Sequence, residues 1–145
     1  MKRILVIIWL IAILILPLAS FSCVASGGGG GRINAVLDQE FTLPVGQTAN
    51  IESEGLTIQF VGVDNDSRCP NYAKCITAGE VKCNMRFTIA GSAADVVLTQ
   101  IGGAASSGSD YFINYKITFR VEPYPEIGKD IAPSDYRLVM TVTKT

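Results

Sequence analysis

Regular alternation of apolar and polar residues is the feature that most limits how this chain can fold. In three segments an apolar residue occupies every second position, with mainly polar residues between. The three sets are Val81/Cys83/Met85/Phe87/Ile89, Ile113/Tyr115/Ile117/Phe119/Val121 and Tyr136/Leu138/Met140/Val142. Because successive side chains of a strand point to opposite faces, this period predicts strands with one buried face. No later stretch shows a capped apolar period of 3.6 residues, so no helix is predicted beyond the N-terminal leader.

Seven strands are predicted in all, separated by turn-forming residues. Their ranges are 39–45, 48–53, 56–63, 80–89, 95–101, 111–122 and 136–143. The small, polar segment 102–110 is expected to be a flexible hairpin tip. Seven short strands within residues 33–145 predict a single all-β domain built as a two-sheet antiparallel sandwich, with a small closed β-barrel as the alternative.

The N-terminus has the organisation of a signal peptide. Lys2 and Arg3 precede thirteen uninterrupted apolar residues at positions 4–16, and Pro17 ends the run. A membrane-spanning helix needs roughly 20 apolar residues. We therefore expect an exported protein whose leader, residues 1–22, is removed. A retained N-terminal anchor is the alternative, because residues 18–25 are still fairly apolar.

Two cleavage sites compete at the end of the leader. Residues 18–23 resemble the cleavage box of bacterial lipoproteins, in which Cys23 would become the lipid-bearing first residue. Ordinary cleavage near Ala25 or Ser26 would instead release a secreted protein. Five glycines at positions 27–31 favour the first outcome, since a Gly-rich segment suits a flexible tether at residues 23–32. The expected location is the bacterial cell envelope, with the membrane contacted through the N-terminal lipid.

The four cysteines of the sequence fit an exported protein. Cys69 and Cys75 bracket a polar, turn-like segment and are the natural disulfide pair. Cys83 falls on the apolar face of an alternating strand, where a free thiol behaves as a small buried hydrophobe. If Cys23 carries no lipid, a Cys23–Cys83 bridge becomes a rival.

The segment 64–79 is the densest polar stretch of the predicted domain, and it is first of all expected to be structural. A small ring closed by Cys69 and Cys75 would stabilise the crossing between two strands by roughly 2–3 kcal/mol. Arg68 could use its planar donor fork on a carboxylate such as Asp66 or on backbone carbonyls.

Three functional interpretations of the same segment stay open. Asp64, Asn65 and Asp66 offer oxygen ligands for Ca²⁺, because residues at i and i+2 of a strand point the same way. The segment could instead be a recognition loop for another protein or a glycan, with Tyr72 as aromatic anchor. Finally, the protein could be an inhibitor that presents Lys74, at the end of the constrained loop, to a trypsin-like protease. The candidate recognition residues are Asp66, Arg68, Tyr72 and Lys74.

Parts of the chain resemble a group of small exported bacterial proteins. The shared pattern is DSRCP…C-I-W-A-G, read here as Asp66-Ser67-Arg68-Cys69-Pro70, then Cys75-Ile76 and Ala78-Gly79-Glu80, with Pro123-Tyr124-Pro125 and a last strand opening at Tyr136. Thr77 stands where that group commonly has tryptophan. The resemblance implies a single β domain with a Cys69–Cys75 bridge and implies no particular activity.

Enzyme chemistry finds little support in the sequence. The chain has no histidine, which removes the usual Ser-His-Asp and Cys-His arrangements and the commonest metal ligand. Nucleotide-binding glycine motifs, nucleophile motifs and paired zinc-spaced cysteines are also absent, so no cofactor or metal is expected.

Removing Lys2 and Arg3 with the leader changes the formal net charge from −1 to −3. Mild acidity argues against a nucleic-acid partner. The sequence predicts a lipid-anchored, non-enzymatic envelope protein that binds or packs against a macromolecule, with a secreted protease inhibitor as the alternative.

Overall fold

The computed structural model describes residues 30–103 and 106–145, and within them the chain forms nine strands. The strands are β1 (Arg32–Asn34), β2 (Glu40–Pro44), β3 (Thr48–Ile51), β4 (Leu56–Asp66), β5 (Glu80–Ile89), β6 (Ser92–Ile101), β7 (Gly108–Phe112), β8 (Tyr115–Glu122) and β9 (Arg137–Lys144). Two single 3₁₀ turns, Glu52–Glu54 and Pro133–Asp135, complete the regular structure of these residues. The predicted leader at 1–22 and the lipidation residue Cys23 lie outside the described residues, as does most of the predicted tether.

The strands form two sheets. One has five strands in the order β1-β3-β4-β5-β6, and the other has four in the order β2-β9-β8-β7. The short β1 runs parallel to β3, and the remaining pairs are antiparallel. The predicted all-β sandwich is therefore confirmed, and the described strands do not close into the barrel considered as the alternative.

The core lies between the sheets and is filled by the alternating apolar residues. Fully buried side chains come from both sheets, among them Phe60, Phe87, Phe119, Leu138 and Met140. Because each strand contributes every second residue to this layer, the period of two in the sequence reflects which residues face the core. The apolar faces predicted for β5 and β9 are confirmed, since their inward residues are buried.

One strand prediction was wrong at its start. Residues 111–122 do not form a continuous strand but belong to the β7–β8 hairpin, in which Phe112 pairs with Tyr115. Ile113 occupies the turn in a left-handed conformation, with φ of 54°, and is 63% exposed. Because Ile113 continues the apolar alternation of β8 in the sequence, the pattern predicted a strand that runs through the turn. The first strand of this hairpin, β7, begins at Gly108, inside the segment predicted as a hairpin tip.

Near the N-terminal end of the domain, the structure contains a short strand that was not predicted from the sequence. β1 includes Arg32, which had been assigned to the tether, and it pairs with β3 from Arg32 opposite Thr48 onward. Gly31 also accepts a backbone hydrogen bond from Thr48, at 2.9 Å. A three-residue strand is too short to show a period in sequence.

The cysteines of the domain follow the prediction. Cys69 and Cys75 form a disulfide, and Cys83 is buried with a free thiol. Burial is the main cause that raises the pKa of Cys83 to about 12, so the neutral thiol is strongly favoured. Among the described residues, Cys83 is accordingly part of the core.

Candidate functional site

The loop between β4 and β5 is built as an extension of their hairpin. Ser67 N–H donates to the carbonyl of Glu80 at 2.8 Å, and Cys69 N–H donates to that of Ala78 at 2.9 Å. Gly79 is required by this arrangement, since it has φ of 69° and an added Cβ would lie 1.9 Å from the Ser67 carbonyl oxygen. We call residues 66–79 the braced loop.

Two irregularities in β4 set the strand pairing at the start of the braced loop. The register with β5 slips between Phe60 and Gly62 and again between Val63 and Asn65. As a result Asp66 pairs with Val81, whose side chain is buried, and directly paired residues share a face of the sheet. Asp66 therefore points into the sandwich.

A buried ion pair forms the centre of the braced loop. Arg68 is only 3% exposed, and Asp66 accepts two of its side-chain hydrogen bonds, from Nε at 2.8 Å and from Nη2 at 2.6 Å. Asp66 also accepts the Arg68 backbone N–H, at 3.2 Å. The pair is bidentate, which is the strongest geometry available to these two groups.

The same guanidinium joins the two sheets. Nη1 donates to the carbonyl of Val121, near the end of β8, at 2.7 Å, and Nη2 donates to the carbonyl of Pro123, the residue just after β8, at 3.0 Å. The hydroxyl of Tyr136, the residue just before β9, donates to Asp66 at 3.1 Å. Arg68 and Asp66 thus connect the five-stranded sheet to β8 of the opposite sheet and to the residue that precedes β9.

The pKa values of these groups reflect burial and charge together. Burial alone would raise the pKa of Asp66, but the hydrogen bonds and positive charge of Arg68 outweigh it and lower that pKa below its ordinary value. Burial, followed by the negative charge and hydrogen bond of Asp66, raises the pKa of Tyr136 to about 12. At neutral pH the site therefore holds an ionised carboxylate, a guanidinium and a neutral phenol.

Residues 123–126 contact the base of the braced loop and support it. The hydroxyl of Tyr124 donates to the carbonyl of Cys69 at 2.7 Å, and its ring centroid lies 5.1 Å from the guanidinium carbon of Arg68. Asn71 N–H donates to the carbonyl of Pro125 at 3.0 Å, and Asn71 forms a β-bridge with Glu126. With the disulfide, these contacts hold the base of the loop in one position.

The outer part of the braced loop is fully exposed. Tyr72 is 99% exposed and has φ of 67°, which is rare for a bulky residue. Ile76, next to the disulfide, is also completely exposed, and Lys74 is exposed as well. Ile127, beside the Asn71–Glu126 bridge, is 62% exposed. A rigid base therefore presents apolar side chains to solvent.

The candidate recognition residues divide into two groups. Asp66 and Arg68 lie in the interior, and the structure assigns them to the buried contacts that hold the loop, which we call the brace, rather than to a contact surface. Tyr72 and Lys74 lie on the surface and are available to a partner. Sequence reasoning missed Tyr124 and Tyr136 as members of the brace, although Tyr124 in its Pro-Tyr-Pro segment and Tyr136 at the strand start were conspicuous.

The Ca²⁺ interpretation was wrong in its geometry. Asp64 is exposed, whereas Asp66 faces inward and is bound to Arg68, because the bulge after Val63 breaks the i, i+2 relation. Within residues 30–103 and 106–145, no group of three or more His, Cys, Asp or Glu residues is arranged to hold a metal.

Comparisons of the chain with protein-family models, with curated proteins and with solved structures found no match. In the part of the chain that the structure describes, no helix is long and apolar enough to cross a membrane. The interpretation of the site therefore depends on its geometry.

Removing the buried cation should destabilise the domain strongly. Arg68→Met should lower the free energy of unfolding by about 3–5 kcal/mol, because the Asp66 carboxylate stays buried without its partner. The matched control is Arg86→Met, which removes an equally bidentate but exposed pair with Asp95. That change should cost less than about 1 kcal/mol. Urea unfolding measures both, and equal losses would contradict the role of Arg68.

The ion pair should also contribute a specific pH dependence. A lowered folded-state pKa means that Asp66 stabilises the fold above its ordinary pKa of 3.8 and that this contribution is lost as pH falls through the lower folded value. The stability difference between wild type and Asp66→Asn should therefore be constant near neutral pH and shrink below about pH 4. Urea unfolding across this range measures it, and a difference that does not change with pH would argue against an ionised Asp66.

Proposed function

We propose that this is an exported protein, lipid-anchored at Cys23 in the bacterial cell envelope, whose non-enzymatic β domain binds another macromolecule. The exposed face of the braced loop, formed by Tyr72, Lys74 and Ile76, is the proposed contact surface. The leader-like residues 1–22, the lipoprotein-like box around Cys23 and the Gly-rich segment that follows support the anchoring. A sequence without histidine or a nucleophile motif supports a binding role.

The observation that carries the binding proposal is full exposure of large apolar side chains on a rigid support. Tyr72 and Ile76 gain nothing from burial in the domain itself. In addition, a left-handed tyrosine costs free energy that the surrounding structure has to offset, and such strain is concentrated at functional sites. Because the disulfide and Arg68 already order the loop, a partner would not have to supply the ordering free energy.

The chemistry of the surface favours a protein partner over a glycan. An aromatic side chain alone would suit either, since tyrosine can stack on a sugar or anchor a protein contact. Ile76 and Ile127 add aliphatic surface, which gains free energy only when it is buried against another apolar surface. Lys74 supplies a positive charge at the rim, where charges influence partner choice more than affinity.

A secreted protease inhibitor is the second candidate. It is favoured by one observation, the exposure of Lys74 directly beside the disulfide. An inhibitor would place this lysine in the specificity pocket of a trypsin-like protease. Inhibition that disappears in Lys74→Ala while the fold is retained would support this candidate, and a wild-type domain without inhibition would remove it.

Anchoring can be tested by cell fractionation. If Cys23 carries lipid, Cys23→Ser should move the protein from the membrane fraction to the soluble fraction, because acyl chains contribute roughly 0.8 kcal/mol per buried CH₂. Cys83→Ser, which leaves the anchor intact, is the control and should stay with the membrane. Unchanged membrane partition of Cys23→Ser would indicate a retained apolar segment instead.

Contact through the braced loop can be tested by photo-cross-linking in the producing cells. A photoreactive phenylalanine in place of Tyr72 should give a discrete cross-linked product, because this side chain points entirely into solvent. The control position is Tyr111, an exposed tyrosine near the opposite end of β8. If the two positions give the same products, or if neither gives any, the braced loop is not the contact surface.

A further inference from the structure

The two sheets have four edge strands, and three of them are poor templates for pairing. β1, β2 and β7 are three, five and five residues long, and β2 contains Pro44. Short edges and proline are common protections against unwanted strand addition. β6 differs from all three. It has ten residues, Ser92–Ile101, without proline, lysine or a register slip in its pairing with β5.

The hairpin register shows which backbone groups of β6 point outward. A two-residue turn, Ala90-Gly91, joins β5 to β6, and both residues have positive φ. Ile89 and Ser92, which flank this turn, form a hydrogen-bonded pair in such hairpins, and hydrogen-bonded pairs then alternate along the ladder. The odd-numbered residues of β6 consequently direct N–H and C=O away from β5. In the described residues, β6 pairs with β5 alone.

The side chains on this edge are suited to burial. The outward-bonding positions are Ala93, Asp95, Val97, Thr99 and Ile101, with Val97 50% and Ile101 68% exposed. The single charge among them, Asp95, is neutralised by a bidentate pair with Arg86 of β5, at 2.7 and 3.1 Å. An edge charge that is already paired gives little protection against another strand.

We propose that a second copy of this chain pairs with β6 through its own β6, antiparallel, with the two-fold axis at Val97. The two five-stranded sheets would then form one continuous ten-stranded sheet across the interface. Main-chain hydrogen bonds would join the outward groups of the two edges, as in other cases of strand addition. A two-fold arrangement makes the same strand serve both copies.

The choice of a second copy, and of this register, follows from the match in polarity when the outer face of β6 is paired with itself. With Val97 opposite the partner copy's Val97, Asp95 lies opposite Thr99 and Ala93 lies opposite Ile101, so the pairs at the outward-bonding positions match in polarity. A register centred on Asp95 would place two carboxylates opposite each other, which is destabilising. One centred on Val96 would place Asp95 opposite valine. One centred on Thr99 would leave Ala93 and Asp95 beyond the end of the partner strand. The register centred on Val97 therefore combines matched polarity with pairing over nearly the whole strand.

Oxidative cross-linking of the full-length protein in its membrane tests this arrangement. Residues opposite each other in a hydrogen-bonded pair have Cα atoms about 5.5 Å apart, within disulfide range. Val97→Cys should therefore give a covalent dimer on mild oxidation. Val61→Cys is a closely matched control, because Val61 is 51% exposed on the inner strand β4 of the same sheet. It should give about tenfold less dimer, since its Cα atoms would be beyond bridging distance.

The register can be tested separately from association. Co-expressed Asp95→Cys and Thr99→Cys chains should form a mixed dimer, whereas each variant alone should not. In sedimentation of detergent-extracted protein, Val97→Lys should abolish the wild-type dimer and Val61→Lys should leave it intact. Equal cross-linking at residues 61 and 97 would indicate contact between sheet faces and overturn the edge pairing. A wild-type protein that stays monomeric would overturn it as well.

Discussion

The buried pair of Arg68 and Asp66 is the interaction on which the rest of this structure depends. A guanidinium that is 3% exposed must have its donors satisfied, or burying it costs several kcal/mol. Its partners come from both sheets, since Asp66 belongs to β4 and Val121 to β8, and the carbonyl of Pro123 follows just after β8. The sandwich therefore has to close at this end in one arrangement. The disulfide alone would fix only the loop.

This constraint separates the brace from the surface that it supports. Arg68, Tyr124 and the disulfide hold the base of the braced loop, while Tyr72 and Ile76 project from it without contacts of their own. In the proposed function, such an arrangement would present a recognition surface whose conformation is set before binding. The β6 edge offers a second, chemically different surface that exposes backbone groups rather than apolar side chains.

Much of the fold could be predicted because strands leave a local signature. The alternation in β5 and β9 identified both the strands and their buried faces, including Cys83. The same pattern failed at Ile113, where an apolar residue in a turn continues the period of the following strand. It also failed for Asp64 and Asp66, because the register slip between Val63 and Asn65 prevents these two residues from sharing a face of the sheet. Bulges leave no period of their own in the sequence.

By itself, the sequence determined the all-β class, the pairing of Cys69 with Cys75 and a role for Arg68 in holding its own loop. These follow from local patterning, short separation and the donor geometry of arginine, all of which act within a few residues. Only the tertiary structure decided that Arg68 spans both sheets, that Tyr124 and Tyr136 complete its surroundings, and that β6 is left as the long edge. Those outcomes depend on which strands become neighbours, and that is set by packing of the whole core rather than by any one segment.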